Sequence, residues 1–226
     1  KATITAVIFG LCIFFGHNSA FAFWEDDLTV EDESVYNYLQ VYESGSRVVL
    51  STNVLFGVQS VYLRDEGLTG MYYDYAMAAP LMTGRMSDMS DKPLDMLILG
   101  MGTGTYATQC ERYFGDMNIE GVEIDEKITG LAREYFELDD AVPVVTYDGR
   151  AYLNAIEDTY DVIMVDAYQD ITIPFQMSSV EFFTLVKEHL NPDGVMVVNM
   201  NMRGSAPGSI NDYLADTIAS VFGNVY

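Results

Sequence analysis

Thiols are scarce in this chain. Its 226 residues include two cysteines, Cys12 and Cys110, and the first sits in an apolar leader. No pair falls within the folded portion, which excludes a disulfide framework and a thiolate metal site. Histidine is as thin: His17 and His189 stand far apart with no metal-ligand spacing, so no metal is expected. Positive charge is short as well. Eleven Lys and Arg face 34 Asp and Glu, a formal net charge of −23. A nucleic-acid partner needs a basic face to neutralise phosphates, so that class is disfavoured. The acid excess fits solubility or a salt-rich habitat, and it also fits electrostatic steering of a polycationic substrate. No internal repeat or low-complexity segment is visible.

What is present is apolar and aromatic. Half of the residues are hydrophobic and 13% aromatic, with 16 Tyr. That excludes a disordered chain and allows one substantial core with a small satellite module. Ala2 to Phe15 form an apolar run, followed by Gly16-His17-Asn18-Ser19 and Ala20-Phe21-Ala22. Lys1, the run and the small-x-small triplet fit a secretory signal peptide cleaved after Ala22. Extended through Phe23 and Trp24, the segment reaches about 22 residues, enough to cross a bilayer with Trp24 at the interface. An ordinary buried helix is the third reading. A membrane anchor over residues 1–24 is the expectation, with a secreted or a cytoplasmic protein as alternatives. Glu25-Asp26-Asp27 ends the segment in each case.

Residues 31–66 read as a small antiparallel β module. Val35 to Val41, Arg47 to Leu50 and Val58 to Leu63 are its strands, with turns at Gly45 and Gly57. Thr69 to Met82 reads as a helix with Thr69 as N-cap. From there to Tyr226 the rhythm is strand, helix, strand, helix. Strands are expected at Leu94–Leu99, Ile119–Ile124, Val142–Thr146, Tyr160–Val165 and Gly194–Asn199. Such alternation implies an α/β fold, a Rossmann-like doubly wound and mostly parallel sheet over residues 67–226. The last helix, about Ser209 to Phe222, runs almost to Tyr226, where a sheet of this kind would add a strand or hairpin; a domain short by one or two strands is expected.

The strongest local signal is Leu97-Ile98-Leu99-Gly100-Met101-Gly102-Thr103-Gly104-Thr105. A strand leads into Gly-x-Gly-x-Gly and a helix follows, so the backbone can approach a ligand and offer free N–H donors. About 20 residues on, Val122-Glu123-Ile124-Asp125 puts Glu123 at a strand end, placed to accept both hydroxyls of a ribose. Asp148, followed by Gly149, sits just past the third strand, where a carboxylate can accept an adenine amino group. Asp166 ends the fourth strand, on the edge where ligands of open α/β sheets bind. Three acids at consecutive strand ends suit a nucleoside with a cationic appendage and would repel a phosphate-rich dinucleotide.

Taken together, several segments resemble the spermidine synthase family. They are Glu33 to Val41, the Gly57-Val58-Gln59 turn, Tyr72-Tyr73-Asp74-Tyr75 before Pro80, the Gly run, Val122 to Asp125 and Tyr160 to Asp166. The likeness covers about Glu31 to Tyr226 and is nearest the bacterial branch whose members follow membrane-spanning segments. It implies aminopropyl transfer: a primary amine of a polyamine such as putrescine attacks the carbon beside the sulfonium of decarboxylated S-adenosylmethionine and expels methylthioadenosine. By that resemblance Asp166 is the catalytic acid and Tyr73 the amine-side tyrosine. Glu123 and Asp148 would hold ribose and adenine, Asn37 stands where the family has Gln, and Gly100, Gly102, Thr103, Gly104 and Gly149 complete the nucleoside side. Gln59, Tyr73, Asp74, Tyr168 and Gln169 would meet the amine. No metal is implied; a second copy of the chain, as a homodimer, is a further partner.

The pattern departs from the family at three places. Thr103 stands where an aspartate contacts the aminopropyl amine, Gln169 where a second aspartate follows the catalytic one, and Asp74-Tyr75 where His-Glu follows the tyrosine. Two alternatives therefore stay open. One is an S-adenosylmethionine-dependent methyltransferase; the other is a non-catalytic nucleoside-binding module of a membrane protein.

Overall fold

The computed structural model describes residues 2–16, 27–53, 57–65, 67–85, 92–167, 173–200 and 207–226. Two sheets organise them. The first is antiparallel, with β1 (Leu28–Glu33), β2 (Tyr38–Ser44), β3 (Arg47–Thr52) and β4 (Ser60–Leu63) side by side in that order. Its inward residues Leu39, Val41, Val48, Leu50 and Tyr62 are buried against Ile128, Leu131 and Phe136. The small module is thus cemented to the larger domain by apolar burial.

The second sheet is parallel. Its strands are β5 (Asp95–Leu99), β6 (Asn118–Glu123), β7 (Val144–Thr146), β8 (Tyr160–Val165) and β9 (Leu190–Val198), in the spatial order β7-β6-β5-β8-β9. The short helices α2 (Tyr72–Ala76) and α3 (Ala78–Met82) precede it, and α4 (Thr105–Phe114), α5 (Glu126–Tyr135), α6 (Gly149–Leu153), α7 (Val180–Glu188) and α8 (Ile210–Ala219) flank it. Period-two alternation decides which layer each strand residue joins. Met96 and Ile98 pack with Tyr106, Ala107 and Cys110 of α4. Leu97 and Leu99 pack on the other face with Phe182, Phe183 and Leu214. Both faces of β8 are covered, so all six of its residues are buried. The chain winds outward through β6 and β7, then returns to lay β8 on the other side of β5. That reversal opens a crevice beyond the carboxyl ends of β5 and β8, the usual ligand position in such sheets.

Several expected elements shift. The strand expected from Val35 starts at Tyr38, because Ser34 N–H donates to the Asn37 carbonyl at 2.8 Å and closes a turn there. β1 was not expected: Leu-Thr-Val-Glu-Asp-Glu is acidic, and only pairing with β2 makes it a strand. The helix expected over Thr69–Met82 is two helices meeting at Met77 and starting at Tyr72. Gly70, at φ +80°, breaks the helical path, and Thr69 accepts from Met71 N–H instead of capping a helix at that point. β9 starts at Leu190, ahead of the expected Gly194, and the register slips between its Tyr160 and Val162 pairings on β8.

Ahead of both sheets lies α1 (Ala2–Gly16), an uncharged apolar helix with no buried residue. Among the described residues no helix is long and apolar enough to cross a membrane.

Gly100 is where β5 leaves the sheet, at φ +85°. A Cβ there would lie 2.5 Å from the Asp166 carbonyl oxygen and 2.7 Å from Ala167 N. Backbone on both sides leaves it nowhere to go. We expect Gly100→Ala to cost about 2–4 kcal/mol of stability. Gly102→Ala, at φ +55° with nothing within 4 Å of the added carbon, should cost about 1–2 kcal/mol. Denaturant unfolding of the two variants measures the contrast.

Candidate active site

A cavity of about 310 Å³ opens at the carboxyl edge of the parallel sheet. The Gly100–Gly104 turn forms one wall. A Cβ at Gly102 would meet only open space, so this stretch of backbone is bare toward a ligand. Glu123, the last residue of β6, is buried beneath it. One of its oxygens accepts from Gly102 N–H at 2.8 Å and the other from Asp125 N–H at 3.0 Å. Loss of solvation raises its pKa first, against the lowering effect of those two N–H bonds.

Asp166 follows β8, half-buried, with its N–H donating to the Leu99 carbonyl at 2.8 Å. The Tyr72 hydroxyl donates to its Oδ2, and Asn199 Nδ2 donates to its Oδ1 at 2.9 Å. Tyr73, expected on the amine side, also lines the cavity, and its hydroxyl donates to the Val61 carbonyl at 2.6 Å and accepts from Val61 N–H at 2.9 Å. Those bonds tie α2 to β4, and burial pushes the Tyr73 hydroxyl up to about 12. The two rings meet edge to face with centroids 5.0 Å apart, and it is the Tyr72 hydroxyl that donates to Asp166.

Other expected residues divide between cavity and framework. Asp148, Gly149, Gln59 and Asn37 line the cavity. Asp148 also caps α6, accepting from Ala151 N–H at 2.8 Å. Asn37 is heavily engaged: Nδ2 donates to Asp125 at 2.8 Å, and Oδ1 accepts from Asn53 at 2.8 Å. Thr103 lines the cavity within a cluster of hydroxyls, 2.5 Å from Ser60 and 3.1 Å from Thr105. Gly104 is covered by Leu138 and forms the N-cap of α4. Asp74, also expected on the amine side, is not among the residues that line the cavity; its carboxylate accepts from Thr69, Gly70 N–H and Gln109. Tyr168 and Gln169 lie outside the described residues.

Sequence reasoning missed Tyr72, Tyr36, Tyr147 and Gln176 along the cavity, and Asn199 beside Asp166. Asn199 did carry a signal, since it ends the expected fifth strand on the ligand-binding edge. The described residues hold no group of three His, Cys, Asp or Glu able to hold a metal ion.

The chain as a whole is similar to known proteins. A family model described as the spermine/spermidine synthase domain matches residues 77–217. A Bifidobacterium longum protein named "Probable polyamine aminopropyl transferase" is 63% identical over 221 residues. The match covers 98% of this chain and 48% of that relative, so the chain spans about half of its length. A probable spermidine synthase from Corynebacterium glutamicum superposes with a TM-score of 0.67 at 21% identity, over 86% of this chain and 71% of that one. A spermidine synthase in complex with the transition state analogue AdoDATO gives a TM-score of 0.64 at 17% identity, over 88% and 64% of the two chains.

The Asp166 carboxyl titrates far above its ordinary value of 3.8, at about 7. Burial is the main cause and the Glu123 charge adds to it, while the Tyr72 and Asn199 hydrogen bonds oppose. Between these two values the folded chain keeps a proton that the unfolded chain has lost, so stability falls as pH rises. The slope approaches about 1.4 kcal/mol per pH unit for this one group. Asp166→Asn removes the titration. Its stability relative to wild type should therefore rise from about pH 4 to about pH 7 and level off above. Thermal unfolding of both proteins across that range checks it; a constant difference rejects the raised carboxyl.

Proposed function

This chain belongs to the spermine/spermidine synthase domain family, and on that premise we propose that its cavity moves an aminopropyl group from decarboxylated S-adenosylmethionine to a small polyamine such as putrescine. The observation that carries the reading is Asp166: a carboxylate bonded to Tyr72 in a cavity also lined by Glu123 and Asp148. The name borne by the 63%-identical relative supports it.

The chemistry assigns each residue a task. An alkylamine titrates near 10, as lysine does, so at neutral pH it arrives protonated and cannot attack. Asp166 takes that proton and holds the amine by its charge. The freed nitrogen lone pair forms a bond to the propyl carbon, the carbon–sulfur bond breaks, and its electron pair stays on sulfur. The sulfonium becomes the neutral thioether methylthioadenosine. Glu123 would hold the ribose hydroxyls and Asp148 the adenine amino group. The bare Gly102 backbone would let the nucleoside settle against the turn. An acidic molecule of net charge −23 would also draw in a polycation.

One observation favours a second reading. The wall formed by Ser60, Thr103 and Thr105 is neutral and offers no charge to the amine of a decarboxylated donor. Methyl transfer from S-adenosylmethionine is the reaction that would suit it. Incubation with each sulfonium compound separates the two. The first reading expects putrescine-dependent release of methylthioadenosine, and release of S-adenosylhomocysteine alone would replace it with the second. Asp166→Asn should lower turnover about 10²–10⁴-fold. Glu123→Ala should weaken methylthioadenosine binding by about 1.5–3 kcal/mol in calorimetry.

We also propose that α1 attaches the chain to a lipid bilayer. Its 15 residues carry no charge and none is buried against the rest of the molecule. At 1.5 Å per residue it reaches about 22 Å, less than a hydrocarbon core of about 30 Å, so α1 by itself would attach to the bilayer without crossing it. Protein with residues 1–24 should stay with membranes after a high-salt wash, and protein starting at Glu25 should remain in the supernatant. Recovery of both in the supernatant rejects the anchor.

A further inference from the structure

We propose that Asn199 is a positioning residue for Asp166, orienting its carboxylate and holding it ready to accept the amine's proton. The inference rests on the role given to Asp166 above. The geometry behind it is set by the sheet. Val165 and Val198 are paired in the β8–β9 ladder, and Asp166 and Asn199 are the first residues past the ends of those strands. Asn199 N–H donates to the Val165 carbonyl at 3.1 Å, and Asp166 N–H donates to the Leu99 carbonyl at 2.8 Å. Both backbones are therefore fixed before either side chain is placed. The Asn199 amide then reaches Asp166 Oδ1 at 2.9 Å, while Tyr72 takes Oδ2. With one donor on each oxygen, the plane of the carboxylate is determined.

The residue type suits that task. An amide N–H donates at every pH, brings no charge, and stabilises the ionised form of its acceptor. Asp166 needs that help. Among the described residues the groups facing it are Tyr72 from α2, Glu123 from β6 and Asn199 just past β9, while the end of β5 brings Leu99 and Gly100, which do not titrate. Burial and the Glu123 charge both favour the protonated form, and among the described residues Tyr72 and Asn199 oppose them. Of the two opposing donors, Asn199 is carried by the sheet itself, whereas Tyr72 opens a five-residue helix.

A strand-end asparagine that merely satisfies its neighbours would affect stability alone. The test uses the full chain with Asn199→Ala and Asn199→Gln, and follows the Asp166 carboxyl by carbon-13 NMR, with Asp166→Asn assigning the signal. In Asn199→Ala we expect the Asp166 titration to move to higher pH, and Asn199→Gln to bring it back part of the way. In the transfer assay Asn199→Ala should lower kcat at neutral pH about tenfold or more, as for loss of one hydrogen bond to a charged group. The acid limb of its pH profile should move upward with the titration, and methylthioadenosine affinity should stay within about threefold of wild type. An unmoved titration overturns the proposal, as does a moved titration with an unmoved acid limb. If wild-type protein releases no methylthioadenosine with any diamine, the transfer reading fails. The titration alone then decides whether Asn199 controls this carboxyl.

Discussion

Carboxylates brought out of water must be given donors, and most of the architecture around the cavity follows from that requirement. Glu123 takes backbone N–H groups from the glycine turn and from Asp125. Asp125 takes Ser34 at 2.5 Å, Asn37 at 2.8 Å and the N–H of Lys127 at 3.1 Å. Asp166 takes Tyr72 and Asn199. No donor set comes from one segment. The turn before β2, the loop after β5, the start of α2 and the end of β9 all converge because each supplies hydrogen to an acid. The three acids stand at the ends of β6 and β8, on either side of β5, where a parallel sheet aligns the ends of all its strands on one edge.

The convergence also explains how a site full of negative charge is tolerated. Glu123 and Asp166 repel each other, and their donors offset part of that repulsion. What is left over is useful to a proton acceptor, since a carboxyl titrating at about 7 can exchange its proton near neutral pH. A fold selected only for stability would have no reason to keep this acid half-buried beside another.

Much of the fold was legible because its signals are local. Leu94–Leu99 and Tyr160–Val165 are unbroken apolar runs, the mark of strands covered on both faces. The glycine turn and the acid about 20 residues later share a spacing set by one βαβ unit. What escaped depends on partners distant in the chain. β1 is an acidic segment that only β2 turns into a strand. Tyr72 and Tyr73 are identical side chains on adjacent residues, and which one faces Asp166 depends on a helix that starts at Tyr72 because of Gly70. Asp74 looked available until the turn around Thr69 claimed it. Asn199 was read as a strand end, but its value lies in β9 being the neighbour of β8, which strand order alone reveals.

The turn after β6 serves two masters. The N–H of Asp125 holds Glu123, and its carboxylate holds Ser34 and Asn37, in the turn that joins β1 to β2 of the four-stranded sheet. One residue thereby ties the turn between β1 and β2 to the buried acid at the end of β6, so the place of the small sheet and the place of that acid are set together rather than separately.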